Sequence, residues 1–436
     1  MHGDDWSSRR LHFVGIGGAG MSGLAIVAHA LGAEVTGSDR SESSYTEVLR
    51  QHGIEPVIGH AAENVPPGAE VVYSSAVPVD NPERQSGHGD GLHRADLLAQ
   101  IAALRRCIAV TGTHGKTTTA AMVVHVLRRC GLDPAYALGA ELGAGVPGAG
   151  WGTGEWIVVE ADESDRSLLK LTPEVAVLTN VELDHHSTYS SRLDLEDTFR
   201  TFLARAQLSV VWDRPGVLAL APPGASTYDA SEPVLFPGGS RFAWRGIEVL
   251  LPVPGAHNAV NAAGALTAAA LAGADPQAAA STLRDFAGAR RRFEWLGQTA
   301  GGVPVYDDYA HHPTEVATAI EAARTLEPKR LVAVFQPHLY SRTSMLASQF
   351  GQALGRADVV SVLDVYPARE RPEDFPGVDG RLVAVAAAEA GGGRTVAWVP
   401  AFGDARRFLA QALRPGDLCL MMGAGDIDTL GRSLVG

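Results

Sequence analysis

The stretch Gly112-Thr113-His114-Gly115-Lys116-Thr117-Thr118-Thr119 constrains this chain more than any other. It follows Cys107-Ile108-Ala109-Val110, a run that reads as a buried strand, and precedes a segment through Arg129 with the apolar spacing of a helix. A glycine turn between strand and helix, with Lys116 and Thr117 at the helix start, is a cradle for nucleotide phosphates. Backbone N–H groups and the positive end of the helix dipole face the anion, Lys116 adds a point charge, and a threonine hydroxyl is a Mg²⁺ ligand. The generic loop has a glycine five residues before Gly115; here Val110 stands there, so the loop tightens to G-x-x-G-K-T. Lysine usage points the same way. Of 36 basic residues only Lys116, Lys170 and Lys329 are lysines. A chain that uses arginine almost everywhere yet keeps a lysine in a glycine turn needs a compact ammonium there, which the planar guanidinium fork does not replace.

A chain of 436 residues is too long for one ordinary core, and two or three domains are expected. The net charge of −13 argues against non-specific binding of nucleic acid or of an anionic membrane surface. The polar start, Met1 to Arg10, runs straight into a strand and has no secretory leader pattern, and alanine-rich stretches such as 259–274 lack the large apolar residues of a membrane span. Cys107, Cys130 and Cys419 are odd in number and far apart, which suits reduced thiols rather than disulfides or a metal site. A cytoplasmic enzyme without membrane insertion is the expectation.

Alternating short apolar runs and helical patterns make the whole chain α/β, in three blocks: 1–105, 106–290 and 291–436. In the first, Gly15, Gly17 and Gly20 have G-x-G-x-x-G spacing between a strand and a helix, and the next strand ends in Ser38-Asp39, where an acidic residue meets a ribose. This motif reads as a dinucleotide or a nucleoside diphosphate at a helix N-terminus without saying which; a helix packed closely on a strand through small residues has the same spelling. A polar segment, Asn81 to Leu92, leads to a helix from Arg94 to Leu104. The second block holds the phosphate loop, strands Trp156–Glu160 and Val175–Thr179, and a helix starting near His257, with its end at Gly288-Ala289-Arg290. The third alternates strand Val303–Tyr306, helix Pro313–Thr325, strand Leu331–Phe335, helix Ser344–Leu354, strand Val359–Leu363 and strand Leu418–Met421 before a final helix.

The chemistry-bearing residues fall at strand ends. Glu160 closes a buried strand and opens EADESD (160–165), the place of a Mg²⁺ ligand beside a phosphate loop, although acidic turns are also common as solvated surface. TNVELDHHSTY (179–189) repeats the geometry with Asp184, His185 and His186, candidates for a second metal or a phosphate contact. Asn258 and Asn261, at i and i+3 on an opening helix, read as caps or as nucleotide contacts. Arg290, Arg291 and Arg292 are either a charged linker or cations for a transferred phosphoryl group. Asp307, Asp308, His311 and His312 follow one strand, and His338 and Arg342 another.

These motifs together, HFVGIGGAGMSGLA (12–25), GTHGKTTT, EADESD, TNVELDH, HNAVNA, RRFE, DDYAHHPTE and FQPHLYSRT, resemble in this order the Mur ligases, from about residue 11 to Leu434. The resemblance implies a Rossmann-like UDP-binding domain, a central P-loop ATPase domain and a Rossmann-like C-terminal domain that brings the amino acid. It implies ATP and Mg²⁺ as cofactors, UDP-N-acetylmuramate and L-alanine as substrates, and a place in peptidoglycan precursor synthesis. By the resemblance, Gly112, Thr113, His114, Gly115, Lys116, Thr117 and Thr118 hold ATP, with Lys116 on the β- and γ-phosphates. Thr117 and Glu160 hold one Mg²⁺ and His185 a second, while Asn258 and Asn261 lie at the nucleotide. Arg292 and Asp308 act on phosphates and ribose, and His312 and Arg342 near the amino acid. Gly17, Gly18, Ala19, Gly20, Ser38, Asp39, His60, Ser74, Ser75 and Ala76 contact UDP.

Relatives that add later residues carry a carbamylated lysine near the second Mg²⁺, and no lysine lies between Lys170 and Lys329 to supply one. The chain departs from the family pattern in the short 84–93 segment, a shortened 208–252 region, a tight hairpin between Gly297 and Val303, and Leu339 where many relatives have arginine. A Mur-type ligase that adds a whole peptide is the alternative; the form GIGGAGMSG favours alanine addition. An NAD(P)-dependent oxidoreductase would explain Gly15, Gly17, Gly20 and Asp39 but leave Lys116, Glu160 and His185 without a role.

Overall fold

The computed structural model describes residues 6–86, 91–185 and 188–435. Contacts group the chain into two compact units, one of Met1–Ser231, Ala243–Val249 and Val260–Ala287, the other of Glu232–Phe242, Leu250–Ala259 and Gly288–Gly436.

The first unit contains two parallel sheets. One has the order Val57–Ile58, Glu34–Asp39, Arg10–Val14, Glu70–Tyr73, Leu92–His93. Its central strand is buried from Leu11 to Val14, as expected of a parallel strand covered on both faces. The helix Ala19–Ala30 leaves it through the glycine turn. The other sheet has the order Ser226–Tyr228, Leu208–Trp212, Val175–Leu178, Arg106–Thr111, Trp156–Glu160, Ala135–Ala137, Ala149–Gly150, all parallel except the last pair. Arg106–Thr111 therefore lies between Val175–Leu178 and Trp156–Glu160. The three loops that leave these strands, carrying the phosphate loop, EADESD and TNVELD, emerge side by side at one carboxyl edge, where ligands bind in such sheets.

A single apolar cluster runs from Trp6 and Phe13 through Leu97 and Val159 to Phe199 and Leu220, so the two sheets share a core. The helix Ala19–Ala30 packs on the strand Ala149–Gly150, with Gly23 facing the Ala149 side chain. Arg94 adds a polar tie, donating to Asp162 at 2.8 Å and Asp165 at 3.4 Å.

The strands Ser231–Phe236, Gly239–Trp244 and Ile247–Leu251 form a separate three-stranded sheet. The second unit holds a six-stranded sheet of order Glu294–Gln298, Pro304–Asp308, Asp417–Met422, Arg330–Phe335, Val359–Val362, Thr395–Trp398, antiparallel only at its first pair. Along Arg330–Phe335 the two-residue period divides the core: Leu331, Ala333 and Phe335 join one cluster, Val332 and Val334 the other.

Most expected elements are present within one or two residues. The stretch between Val362 and Asp417, left unassigned by pattern, contains the helices Gly380–Ala390 and Phe402–Ala412 and the strand Thr395–Trp398. The helix expected from Ser344 begins at Tyr340. The segment read as a polar lead-in contains the short helix Pro82–Ser86, and Leu92–His93 supplies the first sheet with a fifth strand. Residues 87–90 of that segment lie outside the described residues. Cys107 and Cys419 are buried free thiols and Cys130 a partly exposed one. Among the described residues no helix is long and apolar enough to cross a membrane.

Candidate active site

The phosphate loop is shaped by the strand beside it. Thr179 Oγ1 donates to the carbonyls of Thr111 (3.1 Å) and His114 (2.6 Å), Asn180 Nδ2 donates to His114 O at 2.9 Å, and His114 N donates back to Asn180 Oδ1 at 2.9 Å. No side chain fits at two points. Gly112 has φ +129°, and a Cβ on it would lie 2.1 Å from Thr179 Oγ1; Gly115 has φ +79°, and its Cβ would lie 2.7 Å from Asn261 Oδ1. Asn261 is thus placed against the loop. Asn258, one turn earlier on the helix Ala256–Leu271, donates its amide to Pro254 O at 2.8 Å.

At the start of the helix Lys116–Arg129, the Lys116 ammonium curls back onto Gly112 O (2.7 Å) and Thr113 O (3.3 Å). It also meets both oxygens of Glu163, at 2.9 and 2.8 Å. Burial alone would discourage the charge, but Glu163 and Asp162 raise the lysine above its ordinary range. Asp162 is held far below the carboxylate range against its own desolvation by Arg94 and Lys116. Thr117 Oγ1 donates to Glu160 Oε2 at 2.8 Å, and the other Glu160 oxygen accepts the Gly139 N–H at 2.6 Å. Thr117 and Thr118 are buried.

His185 lies on the third loop, its Nε2 3.4 Å from Glu163 Oε1 and 3.7 Å from Asp184 Oδ2. Its φ of +54° is a left-handed conformation that a non-glycine residue holds only when its surroundings impose it. The N–H groups of Thr188 (2.7 Å) and Tyr189 (3.0 Å) both donate to the His185 carbonyl, and the Tyr189 hydroxyl donates to Glu163 O at 2.6 Å. His186 lies outside the described residues. Lys170 is turned away from these groups, in an exposed pair with Asp96, both oxygens at 2.7 Å.

In the first sheet Gly17 accommodates a tight cluster: a Cβ there would meet Thr46 Cγ2 at 2.9 Å and Asp39 Oδ2 at 3.0 Å. Asp39 accepts the Gly17 N–H at 2.9 Å and so holds the turn. Gly18 precedes the helix that starts at Ala19 and Gly20. Ser38 is fully buried, and its carbonyl accepts the N–H groups of Gly15 and Ile16. Ser74, Ser75 and Ala76 form the turn after Glu70–Tyr73, closed by Val77 N–H on Ser74 O at 3.0 Å.

In the second unit Arg291 is tied to the sheet and to the loop after it. It donates to Asp307 (2.9 Å) and to the carbonyls of Gly425 (2.7 Å) and Gly423 (2.8 Å). Arg292 lies over the Tyr309 ring, 5.0 Å from its centroid. Asp308 accepts the N–H groups of Phe293 and Ala310, each at 2.8 Å. His312 caps the helix Pro313–Arg324 through Nδ1, and Glu315 completes the box. Arg342 is buried and approaches His338 Nδ1 at 3.4 Å; His338 stacks on Tyr366. Leu339 has φ +70° at the start of the helix.

Pattern reading did not single out Glu163, Asn180 or Glu182, and named Arg291 only as one of three arginines. Glu163 was visible only as one acid in an acidic turn, and its burial to 1% exposure comes from tertiary packing. Glu182 receives a 2.8 Å contact from His114 Nε2 and belongs to a motif noted for its histidines. Nothing in a run of three arginines tells that Arg291 meets Asp307.

Comparison with known proteins places this geometry. Residues 10–106 match the Mur ligase family catalytic domain, 110–269 the Mur ligase middle domain, and 291–425 the Mur ligase glutamate ligase domain. The chain is 43% identical to UDP-N-acetylmuramate–L-alanine ligase of Rubrobacter xylanophilus, covering 98% of this chain and 99% of that one. It is also 43% identical to the same-named enzyme of Streptomyces griseus, covering 98% and 96%. The crystal structure of UDP-N-acetylmuramate-alanine ligase from Thermotoga maritima superposes with a TM-score of 0.84 at 28% identity, over 98% of both chains. A murein peptide ligase from Psychrobacter arcticus shares the fold, with a TM-score of 0.73 at 22% identity over 98% of both chains.

Two carboxyls of the second unit give a pH signature. Desolvation raises Asp308 to about 7 against the Arg292 charge, with Glu315 and Asp307 adding to the rise, and raises Asp307 to about 6 against Arg291. A carboxyl whose folded value exceeds its unfolded value of about 4 binds its proton more tightly in the native state. Its contribution is complete below about pH 4 and is lost as pH rises through the folded value. Asp308→Asn should therefore lose less stability than the parent between about pH 5 and about pH 8 in urea unfolding. Parallel pH profiles would show that Asp308 titrates normally.

Proposed function

We propose that this chain, which belongs to the Mur ligase family, joins the amine of L-alanine to the lactyl carboxylate of UDP-N-acetylmuramate while ATP becomes ADP and phosphate, in peptidoglycan precursor synthesis. The observation that carries this reading is the meeting of Lys116, Thr117 and Glu160 at one glycine loop, in a chain aligned over 98% of its length with alanine-adding ligases. Functional boundaries near 105/106 and 290/291 follow from the motifs, and a cytoplasmic location suits both nucleotide substrates.

A carboxylate has no leaving group for an amine to displace at neutral pH. ATP supplies one: the lactyl carboxylate attacks the γ-phosphorus and ADP leaves, then the neutral alanine amine attacks the acyl carbon of the resulting acyl phosphate, forming the amide as phosphate departs and the nitrogen gives up a proton. Positioning and charge neutralisation dominate the first step. In this reading the loop N–H groups and Lys116 orient the phosphates, and Lys116 exchanges Glu163 for phosphate oxygens. Thr117 and Glu160, hard oxygen donors one hydrogen bond apart, fit the preference of Mg²⁺, and Glu163 beside His185 offers further donors. Bound there, Mg²⁺ would neutralise charge on the phosphate oxygens. For the second unit we read Arg292 as the cation for the transferred group, Asp308 as a ribose contact, and His312 and Arg342 as serving the amino acid and its carboxylate.

Phosphate release should require both UDP-N-acetylmuramate and an amino acid, with L-alanine outperforming glycine, serine and a tripeptide. Preference for the tripeptide would move the chain to the peptide-adding branch. Lys116→Ala should abolish ligation while UDP-sugar binding, measured by calorimetry, survives. Loss of both in a folded variant would sink the division of nucleotides between the two sheets. Because Lys170 is committed to Asp96 at the surface, Lys170→Ala should keep nearly full activity, lose at most about 1 kcal/mol of stability, and leave activity indifferent to bicarbonate. A bicarbonate requirement abolished by the substitution would show that Lys170 is carbamylated.

A further inference from the structure

Beside the glycine turn of the first sheet lies a buried carboxylate with no part in the chemistry above. Glu83, on the short helix Pro82–Ser86, is fully buried. Its Oε1 accepts the Ala61 N–H at 3.2 Å and Asn64 Nδ2 at 2.6 Å. Its Oε2 accepts the Ser38 hydroxyl and lies 3.2 Å from His60 Nδ1 and 3.5 Å from His12 Nε2. Burial works to raise this acid, but the bonds from His12, Ser38, Asn64 and Ala61 hold it at about 2. Glu83 is therefore ionised and can only accept hydrogen bonds.

That fixes the protons around it. The Ser38 hydroxyl spends its hydrogen on Glu83, so Ser38 Oγ faces His60 Nδ1, 2.8 Å away, as an acceptor. His60 Nδ1 then has two acceptors before it and must carry the ring hydrogen. In neutral imidazole Nε2 is left as a lone pair. Glu83, Ser38 and His12 are fully buried, whereas the His60 side chain keeps 17% exposure just past the strand Val57–Ile58. The Ser38 carbonyl that holds Gly15 and Ile16 ties this network to the glycine turn.

We propose that Glu83 is a positioning residue that locks His60 as a hydrogen-bond acceptor, and that His60 Nε2 accepts the N3–H of uracil and so rejects cytosine. Uracil carries a hydrogen on N3, whereas cytosine presents a lone pair there, so against a lone pair on Nε2 only uracil completes a bond. This rests on the reading that the first sheet holds the UDP moiety.

Calorimetric titration of the full chain with UDP and with CDP, without ATP, tests it. The parent should bind UDP about tenfold or more tightly than CDP, the size expected for one unmade bond. Glu83→Gln offers His60 an N–H in place of an acceptor, frees the other tautomer, and should bring the UDP-to-CDP ratio toward one or below. A ratio unchanged while both affinities fall would mean Glu83 is only structural and would overturn the proposal. Should Glu83→Gln fail to fold, His60→Ala gives the same answer: UDP binding alone should weaken about tenfold, and equal loss for both nucleotides, or none, refutes it. Imidazole ¹⁵N resonances of the free parent should show the hydrogen on His60 Nδ1, and a protonated Nε2 would sink the idea independently. Failure of the parent to bind either pyrimidine nucleotide, with ATP binding intact, would remove the underlying assignment of this sheet as well.

Discussion

Thr179 and Asn180, at the end of the strand Val175–Leu178, grip the phosphate loop by its carbonyls and amides. Gly112 is the consequence: a Cβ there would lie 2.1 Å from Thr179 Oγ1, so any other residue would push the two strands' ends apart. Held in this way, the turn delivers Lys116 and Thr117 to the first turn of their helix, where the unpaired N–H groups and the dipole favour an anion. The same strand continues into Glu182 and His185. One parallel pairing, Val175–Leu178 on Arg106–Thr111, therefore sets the position of the loop, of its supporting side chains and of the candidate metal ligand together.

Charge is the second constraint. Glu160, Asp162 and Glu163 crowd one turn, and like charges this close oppose one another unless cations lie among them. Lys116 and Arg94 fill that role: the lysine takes Glu163, and the arginine takes Asp162 from the neighbouring sheet. The turn thus carries more acid than Lys116 and Arg94 balance locally. The Lys116–Glu163 pair also keeps an ammonium charged at a location where burial would otherwise discourage its charge.

Much of this was legible in the sequence because parallel α/β folds put chemistry at strand ends, and strand ends are marked by a shift from apolar runs to Gly, Asp, Asn and His. Gly112, Lys116, Glu160 and His185 fall at such points, and so do Asp308 and Arg342. What stayed hidden has a common cause. Glu163, Glu83 and Arg291 are ordinary charged residues within polar stretches, and their identity as anchors arises only from burial by segments distant in sequence. The helix Pro82–Ser86 is too short to show a period, and the elements between Val362 and Asp417 alternate alanine and charged residues too loosely to separate helix from loop. The shared core of the first two sheets was equally invisible, since a pattern marks which faces are apolar but not which face meets which.

Glu163 and Glu83 are the same kind of object, a carboxylate with essentially no exposure at the edge of a parallel sheet, put to different uses by what surrounds it. Glu163 faces a lysine ammonium and a histidine, partners that phosphate oxygens or a metal ion can replace, so its bonds are exchangeable. Glu83 faces a hydroxyl, an amide side chain, a backbone N–H and imidazoles, none of which a ligand displaces from the interior. A carboxylate paired with a cation stores charge for a site; one surrounded by neutral donors dictates where their protons lie. Phosphoryl transfer needs the first, because charge moves during the reaction. Recognition of a base needs the second, because a base is told from its analogues by which ring nitrogen holds a hydrogen.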